Sequence, residues 1–175
     1  MDVTQAIRTQ RVVRKFQDRT LPEKVIQVIL NAGRRARSSK NRQDWRFIAI
    51  RDRSTLKSLS ECGTWAGHLA EAALGIAILT PDPKEKFQIM FDAGQAAAIM
   101  QLAAWDLGVG SCPASIYEFE KARQLLGFPK EWHLRIALSF GYPENEQLIS
   151  SPPKRGGRLP INEVVHWERW LDASD

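Results

Sequence analysis

The sequence predicts an α+β domain, a sheet layered against helices, and three observations carry that. Residues 73–80 and 134–140 are continuous apolar runs of strand length, closed by Pro81-Asp82-Pro83 and by Gly141 and Pro143. Between them, residues 91–107 form a helical segment whose alanines, with Ile99, Met100, Leu102, Trp105 and Leu107, cover nearly every side. A helix apolar almost all round must be buried, either centrally or against a second subunit. The element order is helix, helix, strand, helix, strand, helix, helix, strand and tail, which indicates a mixed sheet flanked by helices.

Taken in order, residues 3–9 make a short helix, followed by a basic stretch that ends at Phe16. Thr20-Leu21-Pro22-Glu23 opens a second helix, with Pro near the first turn and an acidic residue beside it. Its buried face is marked by Val25, Ile29, Ala32 and Ala36 at three-to-four spacing. Residues 37–44 are polar and read as a loop; residues 45–51 are aromatic and β-branched and read as a strand. Ser54 is the expected cap of a third helix that turns Leu56 and Leu59 inward. Gly108 ends the apolar helix, and residues 109–112 extend into Pro113 and a loop. Residues 118–126 are helical and stop at Gly127. The tail, residues 147–175, closes with Val164, Val165, Trp167 and Trp170, apolar enough to require docking on something. No repeat or long linker divides the chain, so residues 1–175 are expected to be a single domain with 147–175 as its C-terminal extension.

The chain has 175 residues, 43% hydrophobic and 26% charged, a globular balance long enough for a real core. No apolar run reaches the roughly 20 residues that cross a bilayer, and the opening residues lack the apolar centre of a secretory leader, so a cytoplasmic location without membrane association is expected. Cys62 and Cys112 make neither a disulfide framework nor a metal pattern, and both read as small buried hydrophobes. The net charge of +5 favours an anionic partner. The cations cluster at Arg8 to Arg19, Arg34 to Arg46, and Lys154, Arg155 and Arg158. Such clusters are most often solvated faces, so sign alone decides nothing.

Signatures of side-chain catalysis are missing. There is no G-x-S-x-G, no phosphate loop, and no G-x-G-x-x-G after a strand. Gly108-Val109-Gly110 begins like a dinucleotide fingerprint, but Pro113 and Ala114 stand where the helix should continue. His68, His133 and His166 have no metal spacing and read as ordinary histidines. No catalytic side chain and no metal ligand is therefore assigned, and the chemistry is expected from a bound cofactor. Three segments bear on which one. They are Gln10-Arg11-Val12-Val13-Arg14-Lys15-Phe16, Ser38-Ser39-Lys40-Asn41-Arg42-Gln43-Asp44-Trp45, and Lys154-Arg155-Gly156-Gly157-Arg158-Leu159-Pro160 followed by Glu163 and Val164. Two separate arginine groups can clamp a phosphate through charge-assisted, bidentate bonds. Ser and Asn side chains can satisfy a polar ring edge or a polyol chain.

These segments resemble the nitroreductase family, whose corresponding blocks run approximately R-R-S-x-R-x-F, P-S-S-x-N-x-Q-P-W and R-x-P-L-E-E-V. Phe91-Asp92-Ala93-Gly94, Leu107-Gly108-Val109-Gly110-Ser111 and Phe140-Gly141-Tyr142-Pro143 extend the resemblance over nearly the whole chain. It implies a central, mostly antiparallel sheet flanked by helices, in a homodimer with two FMN molecules at the interface. Arg11, Arg14 and Arg158, with Arg155 beside them, match phosphate and ribityl contacts. Ser38, Ser39, Asn41 and Gln43 match contacts donated by the partner subunit. Pro113, Ala114 and Ser115 match the backbone laid over the isoalloxazine near its reactive N5. The implied activity passes a hydride from NADH or NADPH to flavin N5 and on to a small-molecule acceptor such as a nitroaromatic or quinone, in ping-pong order. Gln10 stands in place of the first arginine, Val12 in place of serine, and Arg37 and Asp44 in place of prolines. The lost cation and hydroxyl weaken phosphate binding by an expected 1–3 kcal/mol or so, with Arg8 or Arg37 placed to compensate.

Two rivals from other classes stand beside this. One is a protein of the same fold that holds FMN, or has lost it, without turnover; yellow colour without NAD(P)H oxidation identifies it. The other is a basic nucleic-acid-binding module, marked by a steep salt dependence. Nucleic acid is not the expected partner, because the arginines lie in separate blocks and no binding motif accompanies them.

Overall fold

The computed structural model of the chain describes residues 1–84, 86–151 and 157–170. Four strands form one antiparallel sheet: β1 (Arg46–Ile50), β2 (Leu74–Thr80), β3 (Gly110–Ser115) and β4 (His133–Gly141), in the order β1-β2-β4-β3. Residue pattern alone does not fix strand direction, and every pairing among these four strands is antiparallel, as the resemblance implies. One face of the sheet, through Ile76, Ile78 and Leu138, meets α2 (Glu23–Arg34) and α4 (Gln88–Asp106). The other, through Ala77, Leu79 and Ala137, meets α3 (Arg53–Ser60) and α5 (Phe119–Leu126).

Local details correct the sequence expectations in several places. Along α2 the buried stripe is Ile26, Ile29 and Gly33, while Val25 and Ala32 are half-buried. The stripe turns toward Gly33 because α4 crosses there. A Cβ on Gly33 would lie 1.9 Å from Met100 Cε and 2.7 Å from its Cγ, so the buried methionine would have to shift to admit one. The cap of α3 is Asp52, not Ser54: its carboxylate accepts from Thr55 N at 2.8 Å, Thr55 Oγ1 at 2.7 Å and Ser54 Oγ at 2.5 Å. Those donors hold the carboxyl down at about 2.

Strand β3 runs through Pro113 rather than ending before it. Ile116 N–H reaches back to Arg135 O across the β4 side, so the even positions of β3 bond to β4 and the odd ones face the free edge. A proline at an odd position deletes no ladder bond. Helix α4 starts three residues earlier than expected and is not enclosed within its own chain. Its inner face is buried at Ala93, Ala96, Met100 and Ala104, whereas Phe91 is 68% exposed and Phe87, just before the helix, 78%. Beside it, α1 (Val3–Thr9) leaves Val3 and Ile7 exposed. After β4 come two short helices, α6 (Gln147–Ser150) and α7 (Ile161–Val164). Around α7, Leu159, Ile161, Val164 and Trp167 are exposed.

Candidate functional site

The N-terminal segment docks along the free edge of β3. Val13 N–H donates to Ser111 O at 2.9 Å, Val12 bridges Ser111, and Phe16 bridges Pro143. Glycines make room: a Cβ on Gly110 would lie 2.6 Å from Val13 Cβ, and one on Gly141 2.8 Å from Phe16 Cδ1. Val13 and Phe16 are buried by this docking, and Arg14 and Lys15 between them are turned outward.

They face the turn that follows α3. Tyr117 N–H and Glu118 N–H both donate to Cys62 O, at 2.8 and 3.1 Å, tying that turn to the end of β3. Gly63 is required there, since its Cβ would sit 2.1 Å from Ser115 O. Between the two walls lies a groove of about 750 Å³, lined by Arg14, Lys15, Thr64, Trp65, Gly67, His68 and Glu71. The odd residues Pro113 and Ser115 are exposed along the free edge of β3, beyond the point where the N-terminal segment covers it.

His68 is buried against this groove. Its Nδ1 lies 2.7 Å from Ser139 Oγ, Ser139 Oγ donates to Cys112 O at 3.3 Å, and the ring's Nε2 is buried with no hydrogen-bond partner among the described residues. Burial pushes the imidazole below its usual range, the Arg14 guanidinium pushes it further, and the Pro113 backbone beside the ring pulls it up. The Cys112 thiol is raised by burial against the opposing pull of Arg14. Arg14 is thus the cation whose field crosses the groove.

Arg11 points elsewhere. Its Nη2 donates to Leu148 O at 2.7 Å and to Ser151 O, the carbonyls at the C-terminal end of α6, and its Nε is buried with no partner among the described residues.

The Ser38 loop forms a second locus, at the N-terminal half of α4. Ser39 N–H donates to the buried Asp92 Oδ2 at 2.9 Å, and Gln43 N–H to Ser38 Oγ at 3.0 Å. Lys40, Asn41 and Gln43 hold φ of 52°, 55° and 53°, a left-handed conformation that concentrates at ligand-binding loops. Asp44, in the place of a proline, pairs with Arg42 at 2.6 Å. Ser38, Ser39, Asn41 and Gln43 do not line the groove that holds Arg14. Arg158 is exposed on the tail, and Arg155 lies outside the described residues.

One chain therefore brings together Arg14 and the Pro113–Ser115 edge, and leaves the serine loop and the tail arginine apart. Sequence reasoning missed Lys15, Thr64, Trp65, Gly67, His68 and Glu71 as groove residues. Their run after Cys62 has no period and no ligand spacing; its one signal is a cluster of glycine, threonine and tryptophan where a plain turn would suffice. Among the described residues no group of His, Cys, Asp and Glu can hold a metal, and no helix is long and apolar enough to cross a membrane.

The comparisons with known proteins agree with one another. The sequence profile of the Nitroreductase family matches residues 7–66 and 60–142. A protein of Archaeoglobus fulgidus, provisionally named NADH dehydrogenase/NAD(P)H nitroreductase, is 32% identical over 171 residues, covering 94% of this chain and 96% of its own. The NADH dehydrogenase of Thermus thermophilus is 27% identical over 206 residues, covering 95% and 96%. Among solved structures, an FMN-dependent nitroreductase from Clostridium difficile superposes with a TM-score of 0.83 at 26% identity, covering 96% of this chain and 100% of that one.

Proposed function

The chain belongs to the nitroreductase family and is an oxidoreductase, and from that premise we propose that it binds FMN, oxidises NAD(P)H and works as a homodimer. The observation that carries this is the groove between Arg14 and His68. Its volume of about 750 Å³ suits a cofactor-sized ligand, and it is open to one side. The residues present fit the group. Arg14 supplies positive charge, and Ser115 turns its backbone N–H to the free edge beside the groove.

The chemistry that FMN supplies when bound is two-electron transfer from NAD(P)H to an acceptor such as a nitroaromatic or quinone, in two alternating half-reactions. The protein's part is to bind and orient. Arg14 holds negative charge, Pro113, Ala114 and Ser115 lay backbone along the ring, and Arg158 with Arg155 brings charge from the tail. Ser38, Ser39, Asn41 and Gln43 are contributed by the second copy, whose approach covers Phe91 and the outer face of α4. Residues 147–175 act as an extension of a single domain, docked on the dimer through Ile161, Val164 and Trp167. No side-chain acid or base takes part, so initial-rate plots against NAD(P)H at several acceptor concentrations should be parallel.

The test is the absorbance spectrum of the purified protein, followed by FMN titrations on variants. Arg14→Ala should cost about 2–4 kcal/mol, roughly 30- to 1000-fold in affinity. Arg14→Lys should recover part of it, because an ammonium cannot make the planar two-pronged bond. Arg19→Ala should leave binding unchanged, since its guanidinium lies over the Tyr142 ring at 4.1 Å. Equal affinities for Arg14→Ala and Arg19→Ala refute the clamp.

A further inference from the structure

A lone apolar side chain on a flat surface carries little meaning, but one that stands in a concave site does. Trp65 is 83% exposed, more than any other large apolar side chain among the described residues, and it lines the groove beside Arg14 and Lys15. The groove's other described side chains, Thr64, His68 and Glu71, are polar, so the indole is its one apolar side chain. The backbone that carries it is held on both sides. Cys62, Ala66 and Leu69 are fully buried, and Ala66 N–H donates to Gly63 O at 3.2 Å, which puts Thr64 and Trp65 at the tip of a four-residue turn. That turn rests on the end of β3, where Gly63 comes so close to Ser115 O that no Cβ would fit. Two residues span about 7 Å at most, so the indole is within reach of a planar molecule lying along Ser115.

We propose that Trp65 is a specificity-determining residue for the electron acceptor, its indole stacking on a planar, electron-poor ring that occupies the open face of the flavin. This rests on the reading that the groove holds FMN along the Pro113–Ser115 edge. Arg14 and Lys15 answer the negative charge of a ligand and offer no flat face. An indole does offer one, and its electron-rich face complements a ring whose density is withdrawn by nitro or carbonyl groups. The ring is also not engaged within its own chain. Among the described residues the ring pairs are Trp45 with Phe47 and His166 with Trp170, and the stacked arginines lie over Tyr142, Trp132 and Phe119. Trp65 takes no part in the electron transfer. It holds a flat acceptor in place, so an acceptor without a flat face gains nothing from it.

The test compares Trp65→Ala and Trp65→Phe with wild type, all loaded with FMN. Binding comes first, by calorimetric titration of the oxidised proteins with naphthalene-2-carboxamide, a flat ring that the flavin cannot reduce. Trp65→Ala should bind it about 10-fold more weakly than wild type, and Trp65→Phe, which keeps a ring, within about 3-fold. Turnover comes second, as the ratio of kcat/KM for 1,4-naphthoquinone to kcat/KM for ferricyanide, an octahedral ion with no flat face. That ratio should fall about 10-fold in Trp65→Ala and hold in Trp65→Phe. Wild-type affinity for the carboxamide in Trp65→Ala overturns the proposal, and so does a Trp65→Phe protein no better than Trp65→Ala. Equal losses with both acceptors overturn it too, since Trp65 would then act on the flavin rather than on the acceptor. A Trp65→Ala protein that turns monomeric in light scattering, with its ratio unchanged, assigns the indole to contact between copies instead. A wild-type protein whose absorbance spectrum shows no bound flavin, read before any acceptor is added, fails the parent reading and takes this one with it.

Discussion

Replacing Gly110 with alanine should disturb the site without touching any groove residue. The added Cβ would lie 2.6 Å from Val13 Cβ and Cγ2 and 2.9 Å from Cγ1. Carbon atoms rest at about 3.5–4.0 Å, so the two must part by roughly 1 Å. Rotating Val13 does not help, because its Cβ is fixed to the backbone; the whole N-terminal segment must lift from β3. The Val13 N–H to Ser111 O bond, 2.9 Å long, would then stretch beyond bonding range. Overpacking of this kind costs about 1–3 kcal/mol and the lost bond a further 0.5–1.5 or so. Urea unfolding of the flavin-free protein should show a loss of about 2–4 kcal/mol. FMN affinity should fall at least tenfold or so, because Arg14 is the next residue along and a displacement near 1 Å spoils a bidentate contact. A variant within about 0.5 kcal/mol of wild type would refute the packing argument. A destabilised variant with unchanged FMN affinity would show that Arg14 does not depend on this docking.

Three further outcomes are expected. Phe91→Glu changes a side chain that is 68% exposed, so the melting temperature of a lone chain should hardly move. Light scattering should nevertheless report monomers, with FMN binding lost alongside; a dimer as tight as wild type would remove this face from the interface. Asp92→Ala deletes the acceptor of Ser39 N–H and should cost about 1.5–3 kcal/mol with weaker FMN binding, while Asp92→Asn, which still accepts, should lose much less. His68 is held below its usual 6.5 in the fold, so the unfolded chain takes up its proton first as pH falls; flavin-free protein should lose stability below pH 6.5, and His68→Asn should flatten that part of the melting curve against pH.

Elements whose cause is local were legible in the sequence. The span 3–9 is helical as expected, and Gly127 ends α5 at a φ of 67° that favours glycine. The cap of α3 fell one choice away from expectation, because Asp52 and Ser54 are both good caps and only the extended backbone at Asp52 decides between them. The path of β3 through Pro113 was not legible. It depends on which strand edge is free, a fact of the sheet rather than of the segment. The apolar girth of α4 was plain in the alanine-rich run, yet composition cannot say which side is covered by its own sheet and which is left exposed. His68 was hidden for the same reason. Its partners, Ser139 and Arg14, are distant in sequence, and a histidine without metal spacing carries no mark of a groove.

The two arginines of the first motif show how far residue type alone can go. Arg11 and Arg14 have equal claims as phosphate ligands when only spacing is considered. In the fold one strand bridge separates them. Val12 pairs with Ser111, and chain positions on either side of it are sent to different places. Arg14 faces the groove, while Arg11 closes on the carbonyls of Leu148 and Ser151. Those carbonyls are the root of the tail that carries Arg155 and Arg158. Arg11 thus fixes where the tail departs. On the proposed reading of the site, the charge missing at position 10, where this chain has glutamine, is supplied by the tail. It follows that truncation after Ser151 should weaken FMN binding more than any single replacement in the N-terminal motif except that of Arg14.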